Sequence, residues 1–132
     1  MDAPTFRPLL PRERKLLERL LEPRFPGRDE LLAQLDGLFA RELDDEGCLE
    51  FECRSGPRAE VKWGRPTEGQ GPGSDGAIHH VALHVDDGFM TRLTVWSEGS
   101  EKASGLPSPL GLKVFAAFSE DAGVWNADER FR

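Results

Sequence analysis

The sequence predicts an α+β fold: two amino-terminal helices packed on an antiparallel sheet of four to five strands built from hairpins. Three observations lead there. Leucines recur at helical spacing up to residue 35, the period then switches to two, and twice that alternation is broken by an Asp-rich turn ending in glycine. With 132 residues, 38% of them hydrophobic, the chain suffices for one modest core, so a single domain over 1–132 is expected.

The first helix is read from Pro11 to Glu22, where Leu16, Leu17, Leu20 and Leu21 form a narrow apolar stripe among charges. Pro11 suits a first helical position because its missing N–H would have no partner there, and Pro23 and Pro26-Gly27 stop the helix. A second helix opens at Asp29, buries Leu31, Leu32 and Leu35, and ends near Asp36-Gly37, with glycine taking a left-handed stop.

From Leu38 onward, Phe39, Arg41 and Leu43 alternate with Leu38, Ala40 and Glu42. After Asp44-Asp45-Glu46-Gly47 the alternation resumes with Leu49, Phe51 and Cys53 against Glu50 and Glu52. A hairpin with Asp45-Glu46-Gly47 as a three-residue loop makes mates of Leu43 and Leu49, Arg41 and Phe51, and Phe39 and Cys53. A helix running on through Leu43 is the rival, since Leu35, Leu38, Phe39 and Leu43 also fit helical spacing. The second hairpin is clearer. Val81, Leu83 and Val85 precede Asp86-Asp87-Gly88, and Phe89, Thr91, Leu93 and Val95 follow it. A three-residue loop pairs Val85 with Phe89 and Val81 with Leu93, whereas a two-residue loop would set Leu83 against Arg92. Residues 59–63 and 112–118 are further strand candidates; the Gly- and Pro-rich stretch 64–77 and residues 97–109 read as flexible loops. The tail 119–132 has Trp125 and Phe131 but no period.

Charge narrows the function. The net charge of −7 argues against a nucleic-acid partner, because binding to phosphates is driven by Lys and Arg displacing counterions. Residues 1–28 nevertheless hold 7 of the 17 Lys and Arg against 4 acids, so a small basic helix sits on an acidic body. No apolar run is long enough to cross a bilayer and the amino terminus has no secretory pattern, so no membrane role and a cytoplasmic location are expected. Cys48 and Cys53 are separated by an odd number of strand positions, which sends them to opposite faces; they are expected to be two reduced thiols, at least one buried.

No catalytic motif emerges. His80 and His84 share a strand face but lie about 13 Å apart, and His79 points the other way, so no metal site is expected. Serine lacks a G-x-S-x-G elbow, and Gly69 to Gly73 is not followed by the Lys-Ser/Thr and helix of a phosphate loop. No cofactor is implied. What remains is a set of carboxylates around the first hairpin: Glu42, Asp44, Asp45, Glu46, Glu50 and Glu52. Turn chemistry and a solvated edge account for them plainly; the sharper expectation is an acidic face for a basic protein partner, with Glu42 opposite Glu50 and Glu52 beside them. A second face, with His80, His84, Met90, Arg92 and Trp96, carries residue types common at interfaces, unless the helices cover it. It offers two alternatives: a small-ligand or enzymatic site between the sheet and the 64–77 loop, or a homodimer contact.

Leu83-His84-Val85-Asp86-Asp87-Gly88 followed by Leu93, preceded by Asp75-Gly76, together with Arg7, Glu13, the leucine stripe of the first helix and Leu31-Leu32-x-x-Leu35, resembles a family of small bacterial domains of unknown function. The resemblance spans about residues 7–97. It implies a standalone accessory protein, a setting that includes immunity proteins of toxin systems, and it supplies no catalytic residues.

Overall fold

The computed structural model describes residues 5–73, 76–98, 102–103 and 105–116. Residues 1–4, 74–75, 99–101 and 104, residues 117–118 of the last strand candidate, and the 119–132 tail lie outside the described residues. Among the described residues, seven strands form one antiparallel sheet: β1 (Arg7–Pro8), β2 (Leu38–Glu42), β3 (Leu49–Cys53), β4 (Thr67–Pro72), β5 (Ile78–Asp86), β6 (Phe89–Ser97) and β7 (Lys113–Ala116), in the order β1-β2-β3-β6-β5-β4-β7. With helices α1 (Pro11–Leu20) and α2 (Arg28–Gln34) the class is α+β, but the sheet is larger than the four to five strands expected.

The leucines set the layers. Leu16, Leu17, Leu20, Leu21, Leu31 and Leu35 share one core with Leu49, Val81, Leu83, Leu93 and Val95, each at 5% exposure or less. One line of side chains crosses five strands in register: Leu49, Leu93, Leu83, Thr67 and Ala116, all buried. The Leu20 carbonyl, left without an intrahelical partner, accepts from Thr67 Oγ1 at 2.9 Å, which ties the end of α1 to β4.

At the other end of α1, Glu13 is 2% exposed and its Oε1 accepts from the Leu10 backbone N–H at 2.8 Å. Arg7 donates to both of its carboxylate oxygens, at 2.7 and 2.9 Å, and so ties β1 to the first turn of α1. Opening such a pair from one side strands a buried charge, which costs about 3–5 kcal/mol. Helix α2 is followed by a single 3-10 turn, Leu35–Gly37, and Gly37 does not take the left-handed stop. Ser55 packs where a Gly37 side chain would project, so close approach is the reason for glycine here.

Three segments depart from expectation. The 64–77 stretch contains β4, an interior strand between β5 and β7, not a loop. Its core-facing Gly69 has no side chain because Leu112 and Leu20 already stand about 3.0–3.1 Å from where a Cβ would be. Residues 59–63 form no strand; Ala59 is buried and its N–H donates to the Gly88 carbonyl at 2.9 Å, so the segment runs beside the second hairpin turn. Residues 38–54 form the hairpin and not the rival helix.

Both hairpin registers differ from expectation, the first by one residue and the second by one at the turn and two beyond a bulge. In the first, Glu42 pairs with Leu49, Arg41 with Glu50, Ala40 with Phe51 and Phe39 with Glu52. This leaves a six-residue connection, Leu43 to Cys48, and Leu43 is 49% exposed instead of facing Leu49. In the second, the loop is the two-residue Asp87-Gly88, both at positive φ (54° and 87°), the backbone of a tight primed turn. Val85 then pairs with Met90 and His84 with Arg92, so Thr91 is an extra residue, and beyond this bulge Leu83 stands opposite Leu93 and Val81 opposite Val95, not opposite Leu93 as expected.

Candidate functional site

The set of carboxylates anticipated around the first hairpin separates into two environments. The one-residue register change places Glu50 across from Arg41 on the helix-free face of the sheet, and their side chains pair at 2.7 Å. Glu52 pairs with Arg54 at 2.5 Å, and the Arg54 guanidinium lies 3.7 Å from the Phe39 ring centroid. Glu50 is also in register with Arg92 on β6. Glu42 stands opposite Leu49 and not opposite Glu50, so the expected face with Glu42, Glu50 and Glu52 side by side does not form.

The loop carboxylates are different. Asp44 Oδ1 accepts from the backbone N–H of Glu46 at 2.9 Å and of Cys48 at 3.2 Å. Burial opposes its charge, but these bonds, with others from the Cys48 thiol and Gly47, outweigh it and hold the Asp44 carboxyl below its usual range. Asp45 pairs with Lys102 at 2.6 Å, both well exposed, and Glu46 Oε1 accepts from the Ala103 N–H at 2.9 Å. Among the described residues, Glu42 has no ion-pair partner within 4.0 Å. A cleft of about 590 Å³ opens here, lined by Glu13, Glu42, Asp44 and Asp45, with Leu49 and Leu106 as apolar wall and Arg12 as its one cation among the described residues. Sequence reasoning missed Arg12, Leu49 and Leu106 because their convergence depends on α1, β3 and the 105–116 segment meeting, which no local pattern encodes.

The other predicted group also divides. His80, His84, Arg92 and Trp96 do share the helix-free face: His80 stands across from Trp96 and His84 across from Arg92. The His80 and Trp96 rings stack at 5.3 Å between centroids, and His80 Nε2 is 2.9 Å from Glu98 Oε1. Met90 is not among them. The bulge at Thr91 turns it inward, where it is 1% exposed in the core. Burial, then the nearby Arg92 and Arg65, push His84 below its ordinary value of 6.5, with Asp86 opposing.

No family model, curated protein or solved structure matches this chain. Its chemistry is therefore read from its own groups. The 64–77 segment, expected as a loop beside a ligand site, contributes Thr67–Pro72 to the sheet itself as β4. Cys48 and Cys53 are free and half-buried, neither fully enclosed as expected. Cys48 Sγ accepts from the Val95 N–H at 3.2 Å. Burial pushes both thiols up, away from the thiolate a nucleophile requires. No helix among the described residues is long and apolar enough to cross a membrane.

Gln34 was not singled out from sequence and is a fully buried polar group with three hydrogen bonds. Its Nε2 donates to the Pro57 and Gly88 carbonyls, each at 2.8 Å, while its Oε1 accepts from the Met90 N–H at 3.1 Å. It joins α2 to the turn of the second hairpin.

Proposed function

We propose that this protein is a non-enzymatic interaction domain that binds a basic protein partner through the loop between β2 and β3 and the cleft behind it. The carrying observation is the contrast in charge matching. Glu50 and Glu52 are paired with Arg41 and Arg54, whereas Glu42 has no ion-pair partner among the described residues and Asp44 is held ionised by backbone N–H groups. Unmatched carboxylates on an acidic protein steer a cationic partner during encounter and disfavour acidic competitors. The resemblance of residues 7–97 to small bacterial accessory domains supports an immunity- or antitoxin-type role in the cytoplasm, in which the cleft covers basic groups of a toxin.

The test is affinity capture from lysate of the protein's own source, with the unaltered chain beside two variants. In one, Glu42→Lys and Asp45→Lys reverse the loop while leaving the Asp44 cap intact. In the other, Glu50→Gln and Glu52→Gln discharge the helix-free face. The expected result is one basic protein, retained by the unaltered chain and the second variant, lost with the first and weakened by added salt. Retention by the loop variant at undiminished strength contradicts the proposal.

A further inference from the structure

We draw no further inference here: the strongest candidate, the helix-free sheet face around Trp96, His80, His84 and Arg92, sets cations beside carboxylates with no net preference for either sign, and nothing in the structure shows what covers it.

Discussion

The two hairpins share a sequence plan, yet the turn departs from the expected three-residue loop in opposite directions, longer in the first and shorter in the second, with different consequences. In β5–β6 the shorter Asp87-Gly88 turn and the Thr91 bulge together move the register by two residues, so Val81 meets Val95 instead of Leu93 while Val81, Leu83, Leu93 and Val95 stay on the core face. In β2–β3 no bulge intervenes and every mate changes: Arg41 moves from opposite Phe51 to opposite Glu50. A bulge thus uncouples turn length from which face a side chain takes, and without one the turn decides whether a glutamate meets another glutamate or an arginine.

The comparison is tested most strongly in the cores of the two hairpins. Leu93→Ala removes a side chain with 0% exposure and is expected to lower unfolding free energy by about 2–5 kcal/mol. Leu43→Ala, at a position the alternative register would bury, is expected to change it by no more than about 0.5 kcal/mol. Urea unfolding of both variants checks this, and comparable losses would restore the register with Leu43 facing Leu49.

A smaller effect is expected at the support that only the second hairpin has. Gln34→Ala leaves the Met90 N–H and the Gly88 and Pro57 carbonyls without their side-chain partner, a loss of about 1–3 kcal/mol. Hydrogen exchange should localise the loosening to the Asp87-Gly88 turn and the bulge, with the first hairpin unchanged. Equal loosening of both hairpins would mean that Gln34 supports the whole sheet.

The pH response is the smallest. Burial and two arginines depress His84 in the folded chain, so folding favours its neutral form. Its contribution is therefore full above the unfolded value near 6.5 and declines as pH falls through that value toward the folded one. Melting temperatures between pH 8 and pH 5 should fall less steeply for His84→Gln than for the unaltered chain, and identical slopes would remove His84 from the account.

Much of the fold is legible in the sequence because periodicity reports burial. Leu16, Leu17, Leu20 and Leu21 mark α1, and the alternations mark β2, β3, β5 and β6. What escapes is set by contacts between distant segments. Strand β4 reads as a loop because Gly69 and Gly71 occupy core-facing positions that Leu112, with Leu20 at Gly69, fills from outside the strand. Strand β1 is two residues long, too short for any period. The candidate site follows the same rule. Its loop carboxylates are read directly from the chain, while the arginines that neutralise Glu50 and Glu52 depend on register and on the path after Cys53, which alternation alone leaves open by one residue.

That register is therefore the most direct test of the account, since it separates Glu50 and Glu52, paired with arginines, from Glu42, which has no ion-pair partner among the described residues. Leu43 N–H donates to the Cys48 carbonyl at 3.0 Å, which makes Glu42–Leu49 and Ala40–Phe51 the closely spaced, non-hydrogen-bonded pairs. Backbone NMR of the folded chain should show Hα–Hα contacts between Ala40 and Phe51 and between Glu42 and Leu49. Contacts joining Glu42 to Glu50, or Arg41 to Phe51, would instead rebuild the continuous acidic face and contradict the division of charge on which the proposed function rests.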